Sequence, residues 1–461
     1  MIELGFARGK RFAVMGLGKS GLAAARALAA AGAEVLAWDD GAGARAAAEA
    51  AGLALTDLHG AELSGVEALV LSPGIPHSFP VPSPVAARCR AAGIPIIGDV
   101  ELLFRARPAA AYVGITGTNG KSTTTSLIGH ILKGAGRPVE VGGNLGTPVL
   151  TFAPLGEAGV YVLEMSSYQL ELTPSIRFNV AVLLNVTPDH LDRHGGMDGY
   201  VAAKRRIFQH PARSHTAVVA VDDDHTRAIF DELEAEGRVA VIPVSAEREV
   251  PGVWVRDGLL FDGGAEPVLD LRGIPTLPGR HNWQNAAAAF TACRAAGVEV
   301  DAIVAGIRSF PGLAHRQQFL GEADGVRWVN DSKATNADAA EKALVCYDDI
   351  YWILGGQAKD GGLAGLEPHM GRIRHAFLIG DATEAFAAWL ADRNVPFTRC
   401  GVLDRAVAEA ASMARAERLP GATVLLSPAC ASFDQFRSFE HRGEIFAALA
   451  RAEIEKGGTP P

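Results

Sequence analysis

The sequence predicts an α/β protein with mostly parallel sheets, organised as three domains in series. Short apolar or β-branched runs alternate with Ala-rich helical stretches along the chain, which is the pattern of βαβ units. Two glycine-rich turns each follow a predicted strand and open a predicted helix. The length of 461 residues is that of about three ordinary domains. We therefore predict domains over residues 1–99, 100–311 and 312–461.

The first domain is predicted from its alternating elements. A strand, a helix and three further strands are predicted at Arg11–Met15, Gly21–Ala31, Val35–Trp38, Ala68–Leu71 and Ile94–Ile97. The Pro-rich stretch 73–84 predicts a surface loop. This alternation predicts a small parallel sheet covered by helices.

A GxGxxG pattern, formed by Gly16, Gly18 and Gly21, directly follows the first strand. In a Rossmann-like domain such glycines allow a tight turn and a close approach of the backbone to phosphate, at a helix N-terminus that favours negative charge. Asp39 and Asp40 follow about 20 residues later, where a ribose-binding acid is expected. Three interpretations stay open: NAD, a different nucleotide, or a turn without a ligand.

The central domain carries a second and stronger phosphate motif. Its strands are predicted at Tyr112–Ile115, Val160–Leu163, Val180–Leu184 and Val218–Val221. The first is followed by Gly117-Thr118-Asn119-Gly120-Lys121-Ser122-Thr123 and a helix from about Lys121. In such a P-loop, backbone N–H groups surround the phosphates, the lysine bridges the β- and γ-phosphates and the serine binds Mg²⁺. The strict pattern requires a glycine where this chain has Ile115, but the chemistry of a P-loop ATPase-like domain is retained.

The third domain is predicted after the breaker cluster Ser309-Phe310-Pro311-Gly312. Its strands are predicted at Ile350–Leu354, Ala376–Ile379 and Val424–Leu426, between Ala-rich helices. We therefore predict a second Rossmann-like α/β domain here.

Composition and charge argue against several classes of protein. A net charge of −9 is unfavourable for binding a phosphate backbone, so nucleic acid is not expected as a partner. No apolar run reaches the roughly 18 residues that span a bilayer, and the N-terminus lacks the pattern of a secretory signal. Five scattered cysteines without a CxxC pair predict buried thiols in a reducing cytoplasm.

The two glycine motifs together favour two nucleotides, one as a handle on a substrate and one as an energy source. A nicotinamide dehydrogenase would use the first motif and leave the second without a function. A non-catalytic nucleotide sensor would use the second motif, but it would not explain the lysines and hydroxyls of the third domain.

At GTNGKST the chain resembles the Mur ligase family, the ATP-dependent amide-forming enzymes of peptidoglycan synthesis. The resemblance continues over nearly the whole chain, through blocks in sequence order. They are EMSSYQLE (164–171), NVTPDHLD (185–192), YVAAK (200–204), HNWQN (281–285), HR (315–316), NDSKATN (330–336), LGGQAK (354–359) and SPACASFDQF (427–436). The last block and NDSKATN look most like the branch that adds D-glutamate to UDP-N-acetylmuramoyl-L-alanine, and addition of another amino acid is the alternative within the family.

The resemblance implies catalytic, metal and ATP-binding residues. A carboxylate at a strand end, such as Glu164, suits Mg²⁺ opposite a P-loop. The family further implies two Mg²⁺ ions and a carbamate on Lys204, which would turn a cation into an oxygen-bearing anion. The implied catalytic residues are Lys121, Glu164, His190, Lys204 and Arg316, and the implied metal ligands are Ser122, Glu164, His190 and Lys204. The implied ATP-binding residues are Gly117, Thr118, Asn119, Gly120, Lys121, Ser122, Thr123, Asn282, Asn285, Arg316 and Asp331.

The resemblance also implies where the other two substrates bind. The UDP-muramoyl substrate is expected at Gly18, Ser20, Gly21, Asp39, Ser72, Pro73, Gly74, Gly143, Asn144 and His190. D-glutamate is expected at Lys333, Thr335, Lys359, Ser432 and Phe439. From the residues alone, structural roles stay open: a core histidine at 190, a solvated basic helix face at 204, and surface lysines or loop hydroxyls in the third domain.

The implied reaction is amide formation through an acyl phosphate, in a cytoplasmic enzyme acting as a monomer on small molecules. The substrate supplies the nucleophilic carboxylate, so we expect no protein serine or cysteine nucleophile.

Overall fold

Three sheets flanked by helices make up the structure, a computed structural model that describes residues 1–211, 214–359 and 361–457. The mixed α/β architecture with parallel sheets confirms the predicted fold class. The chain divides into two compact units. The first unit comprises Met1–Arg272 and Arg280–Phe310, and the second comprises Gly273–Gly279 and Pro311–Pro461. The first two sheets lie in the first unit and the third sheet in the second.

The first sheet carries the GxGxxG turn. Its strands are β1 (Arg11–Met15), β2 (Glu34–Trp38), β3 (Val66–Leu71) and β4 (Ile96–Ile97), and its helices are α1 (Lys19–Ala30), α2 (Ala42–Ala50), α3 (Pro84–Ala91) and α4 (Asp99–Ala106). The strands are parallel, in the order β2-β1-β3-β4. The first helix begins two residues before its predicted start. Because β1 lies between β2 and β3, the turn after it opens at the carboxyl edge of the sheet, where such folds bind ligands.

The second sheet has nine strands and carries the P-loop. The elements in chain order are β5 (Ala111–Thr116), α5 (Lys121–Gly134), β6 (Val139–Gly143), β7 (Val160–Glu164), α6 (Ser167–Glu171), β8 (Val180–Leu183), α7 (Leu191–His194), α8 (Met197–Arg205), β9 (Thr216–Ala220), α9 (Asp224–Glu236), β10 (Ala240–Ser245), β11 (Val253–Arg256), β12 (Leu259–Asp262), β13 (Pro267–Asp270), α10 (Arg280–Ala295) and α11 (Val300–Arg308). Their order is β13-β12-β11-β10-β9-β8-β5-β7-β6. The loop after β5 is therefore flanked by the ends of β7 and β8.

An antiparallel extension, β11 to β13, was not predicted. Asp257 and Gly258 join β11 to β12 with φ of 52° and 78°. Two positive φ values in a two-residue loop match the twist of a hairpin, and Asp-Gly is a preferred sequence for it. Trp254 and Phe261 pair across the hairpin with ring centroids 4.1 Å apart.

The third sheet lies in the second unit. Its elements are β14 (Gln318–Ala323), β15 (Val326–Asn330), α12 (Ala337–Leu344), β16 (Ile350–Gly355), β17 (Ile373–Ile379), α13 (Thr383–Ala391), β18 (Phe397–Gly401), α14 (Leu403–Glu417), β19 (Thr423–Leu426) and α15 (Phe439–Gly457). The order is β14-β15-β19-β16-β17-β18, and only β14 with β15 is antiparallel among these described strands. Asp324 and Gly325 form that second hairpin turn, again with positive φ.

Helix α4 links the first sheet to the second through a buried acid. Glu101 is fully buried and accepts hydrogen bonds from Arg105 Nε at 2.9 Å, Ser175 N at 3.1 Å and Ser175 Oγ at 2.5 Å. Leu102 and Leu103 belong to one apolar cluster that also contains Phe12 of the first sheet and Tyr161 of the second. The predicted border between residues 99 and 100 falls within α4. The division into three domains stays a prediction.

Helices long and apolar enough to cross a membrane are absent from the part of the chain that the structure describes.

Candidate active site

The P-loop lies between the end of β5 and the start of α5. Gly117 has a φ of 153° and Gly120 a φ of 83°. A Cβ on Gly120 would lie 2.2 Å from Asn285 Oδ1, so this position requires glycine for both its conformation and its close approach. The loop therefore brings the first turn of α5, whose N–H groups have no helical acceptor, to the carboxyl edge of the sheet.

Two lysine ammonium groups converge on this loop. Lys121 Nζ donates to Gly117 O at 2.8 Å and to Thr118 O at 2.7 Å. Lys204 Nζ donates to Gly117 O at 2.8 Å and lies 4.5 Å from the centroid of the Tyr200 ring. Burial, reinforced by the charge of Lys121, holds the pKa of Lys204 well below its usual value. The positive charge beside the loop therefore comes chiefly from Lys121, and it suits a phosphate.

Glu164 is the last residue of β7 and is 2 % exposed. Its Oε1 accepts a hydrogen bond of 2.7 Å from Asn144 Nδ2, while its Oε2 is buried with no hydrogen-bond partner among the described residues. A Cβ on Gly143 would lie 2.4 Å from Glu164 O, so glycine lets the chain pass closely over this residue. A buried carboxylate oxygen without a partner is costly, and a cation would satisfy it.

His190 is exposed, in contrast with the buried Glu164. It precedes α7 with a φ of 51°, its Nε2 lies 3.4 Å from Asp189 Oδ2, and its ring centroid is 5.2 Å from that of Tyr168. Across the described ranges, three His, Cys, Asp or Glu side chains are nowhere grouped as for a metal ion. A metal here would therefore need other oxygen donors, such as the Ser122 hydroxyl, a modified Lys204 or the phosphates themselves.

Asn282 and Asn285 lie one turn apart in α10 and share a face, as their spacing predicts. Asn285 Nδ2 donates to Asn282 Oδ1 at 3.1 Å, and both residues are buried. This hydrogen bond fixes the Asn285 side chain against Gly120 of the P-loop.

The glycine turn of the first sheet is stabilised by two of the predicted ligand residues. Asp39 accepts hydrogen bonds from Leu17 N at 2.6 Å and Gly41 N at 2.7 Å, and Ser72 Oγ donates to Gly16 O at 3.0 Å. A Cβ on Gly18 would meet no atom within 4 Å. Gly18 therefore leaves space above the helix start. Of the other predicted residues, Ser20 and Pro73 are half-buried and Gly74 is exposed. Gly21 is buried, and a Cβ there would lie 1.8 Å from Gly16 O.

In the second unit, Asp331 follows β15 and is 6 % exposed. It accepts hydrogen bonds from Ser427 Oγ at 2.8 Å and Gln317 N at 3.1 Å. Burial raises the pKa of Asp331 to about 7 in spite of these two donors. Arg316 is exposed and its charge also acts to lower the pKa of Asp331, so the two predicted ATP residues of this unit are neighbours.

Four of the predicted D-glutamate residues lie on loops of the second unit, and the fifth, Phe439, is the first residue of α15. Lys333 Nζ is 3.9 Å from the centroid of the Phe439 ring, so the aromatic face holds the ammonium group. Thr335 is half-buried, Ser432 is buried and Lys359 is exposed. The structure brings Lys333 and Phe439 together, whereas no contact joins Lys359 to the other four among the described interactions.

A buried arginine, Arg442, connects these loops and was not predicted. It lies in α15 with no exposed surface, and its guanidinium donates to Ser332 Oγ at 3.0 Å, Ser332 O at 2.9 Å and Cys430 O at 3.2 Å. It therefore ties the segment before Lys333 to the loop before Ser432. In the sequence, only its position three residues after the predicted ligand Phe439 indicated a role for Arg442 near this site.

A second cluster that the sequence did not reveal centres on Glu171, in the first unit. Its carboxylate is 3.0 Å from His77 Nε2, 3.2 Å from His194 Nδ1 and 3.8 Å from Arg193 Nη1. Arg193 Nη2 donates to Ile75 O at 3.3 Å. The cluster thus joins the loop after Ser72 to the segment that carries His190.

The fold matches solved structures of Mur-type ligases. A UDP-N-acetylmuramate-alanine ligase from Thermotoga maritima aligns with a TM-score of 0.59 at 16% identity, over 96% of this chain and 99% of that one. A MurF structure from Acinetobacter baumannii aligns with a TM-score of 0.55 at 22% identity, over 76% of this chain and 78% of that one. The fold is therefore that of the Mur ligases.

Sequence comparison leads to the same family. The model of the Mur ligase MurD-like N-terminal domain matches residues 10–98, and that of the Mur ligase middle domain matches residues 115–293. A protein from Paramagnetospirillum magneticum named UDP-N-acetylmuramoylalanine–D-glutamate ligase is 57% identical over 460 residues, covering 100% of both chains. A protein of that name from Rhodospirillum rubrum is 56% identical, over 98% of this chain and 97% of its own length. The chain belongs to the Mur ligase family.

Proposed function

We propose that this chain joins the amine of D-glutamate to the L-alanine carboxylate of UDP-N-acetylmuramoyl-L-alanine, with cleavage of ATP to ADP and phosphate. The observation that carries this proposal is the 57% identity, from end to end, to a relative named for that activity. The chemistry of the described residues supports it, because Lys121 lies against a glycine-rich loop, Glu164 has a buried carboxylate oxygen without a partner, and Lys333 lies over the Phe439 ring.

The reaction needs ATP because a carboxylate is a poor acylating agent. The substrate carboxylate attacks the γ-phosphorus, the bond to the β,γ-bridging oxygen breaks, and ADP leaves. The D-glutamate amine then attacks the acyl phosphate, and inorganic phosphate leaves from a tetrahedral intermediate as the amine loses a proton. The protein contributes positions and charges, and neither step requires a protein nucleophile.

The phosphates of ATP would bind at Gly117–Thr123. The first-turn amides of α5 and the Lys121 ammonium favour negative charge there. Asn282 and Asn285, fixed beside Gly120, are proposed to contact the adenine nucleotide. Asp331 is proposed to accept from the ribose hydroxyls and Arg316 to bind the γ-phosphate.

The donor set at the loop fits Mg²⁺. Glu164 offers the unpaired Oε2, and Ser122 offers a hydroxyl at the start of α5. The ring nitrogen of His190, an exposed residue before α7, is proposed as a further donor. Mg²⁺ held by these residues would supply positive charge that offsets the repulsion between the carboxylate and the triphosphate. The low pKa of Lys204 favours its neutral amine, the form that adds to CO2 to give a carbamate and a proton. We propose this modification as a further oxygen donor.

The other substrates would bind on surfaces of matching charge and shape. The UDP group is proposed to lie over the open turn at Gly18, along the surface formed by Ser20, Gly21, Asp39, Ser72, Pro73 and Gly74. Gly143, Asn144 and His190 would contact the muramoyl part. The two carboxylates of D-glutamate match the two lysines Lys333 and Lys359, with hydroxyls from Thr335 and Ser432. We place the reaction in the cytoplasm, in a monomeric enzyme.

The test is a product assay that omits each substrate in turn. We expect release of phosphate, and the amide product by mass spectrometry, only when ATP, Mg²⁺, UDP-N-acetylmuramoyl-L-alanine and D-glutamate are all present. A panel of amine donors, including L-glutamate and a diamino acid, identifies the amino acid that is added. Phosphate release without the UDP substrate would contradict the acyl-phosphate order. NADH-dependent absorbance changes would favour a dehydrogenase, and ATP binding without amide product would favour a sensor.

A further inference from the structure

The segment Leu184–Thr187, which follows β8, runs beside the P-loop and is bonded to it. Leu184 N donates to Thr116 O at 3.0 Å and Thr118 N donates to Asn185 O at 2.9 Å. Thr187 N donates to Thr118 Oγ1 at 3.0 Å. These bonds extend the contact between β5 and β8 beyond the end of both strands. The loop is therefore supported along one side by hydrogen bonds from the protein itself.

The Asn185 side chain makes two hydrogen bonds to the backbone at the tip of the loop. Its Oδ1 accepts from Asn119 N at 2.8 Å, and its Nδ2 donates to Asn119 O at 3.1 Å. One carboxamide thus satisfies both backbone groups of a single residue. Asn119 itself is exposed, so its backbone would otherwise be hydrated and free to rotate. Gly120, with its positive φ, follows immediately and sets the direction of α5.

We propose that Asn185 is a positioning residue that holds the P-loop in its nucleotide-binding shape before ATP arrives. This inference rests on the proposed function, because it assumes that the loop binds ATP. The N–H groups of Thr118 and Asn119 donate to residue 185, so the proposed phosphate contacts at these two positions do not use their backbone amides. Fixing the loop in advance removes the ordering cost from nucleotide binding, which is how preorganisation raises affinity.

Asn179 provides a matched control at the opposite end of the same strand pair. Its Oδ1 accepts from Tyr112 N at 2.8 Å, so it also joins the β5 segment to the β8 segment by a bond from side chain to backbone. It precedes β8, whereas Asn185 follows it, and Tyr112 lies at the amino end of β5, remote from the loop. A general loss of stability should appear in both variants, and a loop-specific effect only at residue 185.

The experiment measures the dissociation constant of Mg²⁺ with adenylyl imidodiphosphate by calorimetry for the wild type, Asn185→Ala and Asn179→Ala. We expect a rise of about tenfold for Asn185→Ala, the effect of losing one or two neutral hydrogen bonds, and less than twofold for Asn179→Ala. The apparent KM for ATP should rise in parallel, with kcat and the KM for D-glutamate nearly unchanged. A dissociation constant within twofold of the wild type, or an equal rise in both variants, overturns the inference.

A second measurement on the wild type needs no variant. Amide hydrogen exchange in peptides covering residues 116–120 should be slow in the nucleotide-free protein. Fast exchange that slows only on addition of the analogue overturns the inference. If the wild type neither binds the analogue nor forms the amide product, the proposed function fails and the inference fails with it. If the wild type does both and Asn185→Ala binds equally well, only the inference fails.

Discussion

The ammonium groups of Lys121 and Lys204 share one acceptor, the carbonyl oxygen of Gly117, and each lies 2.8 Å from it. Two cations at one carbonyl, the second of them buried, repel each other unless an anion or a change of protonation relieves them. The pKa of Lys204 is depressed by burial first and by Lys121 second. This pairing accounts for two expected properties of the site, anion binding at Lys121 and a reactive neutral amine at Lys204.

Replacing Lys121 by alanine should lower the rate of product formation about 100-fold, because a charge-assisted contact to phosphate is lost. Steady-state assays at saturating substrates measure the effect. Lys133→Ala is the control, since this lysine is exposed in the last turn of the same helix. Wild-type turnover by Lys121→Ala would remove the P-loop from the mechanism.

Activity should depend on CO2 if Lys204 is carbamylated. In CO2-free buffer we expect activity to fall, and bicarbonate should restore it. Lys204→Arg places a permanent cation at this position and cannot form the carbamate, so it should be inactive with or without bicarbonate. An unmodified amine by intact mass, together with full activity in CO2-free buffer, would exclude the modification.

The substitution Glu164→Gln should separate stability from activity. The amide can still accept from Asn144 Nδ2, and the buried charge is removed, so the melting temperature should not fall. The Mg²⁺ concentration for half-maximal activity should rise about tenfold or more, because a neutral oxygen is a weaker ligand for a hard cation. A titration with Mg²⁺ checks this. An unchanged Mg²⁺ requirement would contradict the assignment of Glu164 as a metal ligand.

Stability should depend on pH through Glu171. Burial alone would raise the pKa of Glu171, but hydrogen bonds from His194 and His77 lower it to about 2. A depressed carboxyl pKa stabilises the folded state above the unfolded pKa of about 4, and this stabilisation is lost as the pH falls towards 2. Glu171→Gln should therefore cost on the order of 2 kcal/mol in free energy of unfolding at pH 7 and less at pH 3. Urea titrations at both values measure the difference, with the exposed Glu157→Gln as control. An equal cost at both pH values would speak against the ion-pair cluster.

Arg442→Lys should impair use of the amino acid substrate. The three bonds to Ser332 Oγ, Ser332 O and Cys430 O come from two nitrogens of the guanidinium, and lysine has a single nitrogen, so the loops carrying Lys333 and Ser432 should be held less firmly. The KM for D-glutamate should rise about tenfold, with little change in the KM for the UDP substrate. Arg451→Lys, at an exposed position of the same helix, is the control. An equal rise in every KM would indicate a general loss of structure.

The parallel strands were predictable because their buried apolar runs are continuous. The run at Arg11–Met15 matches its strand, and those at 160–163 and 350–354 differ by one residue from theirs. The antiparallel hairpins were missed, although Asp257-Gly258 and Asp324-Gly325 carry a recognised turn signal. These strands lack a long continuous apolar run, so the turn that joins them is a better signal than their own hydrophobic pattern.

The site was predictable only where a motif is local. The P-loop, Glu164 at a strand end and the Asn282–Asn285 spacing could be placed from neighbouring residues. Asn185 and Arg442 could not, because their partners are backbone groups 66 and 110 residues away in the chain. Local sequence patterns do not predict which distant backbone group a guanidinium or carboxamide will bind.

The burial of Glu101 also bears on how this protein melts. A fragment starting after α4 would leave the Ser175 hydroxyl and amide without their acceptor Glu101, and a fragment starting at α4 would lack the first sheet on which Leu102 and Leu103 pack. Neither half of the first unit is therefore a detachable module. Scanning calorimetry should record one heat-absorption peak for both sheets together rather than two.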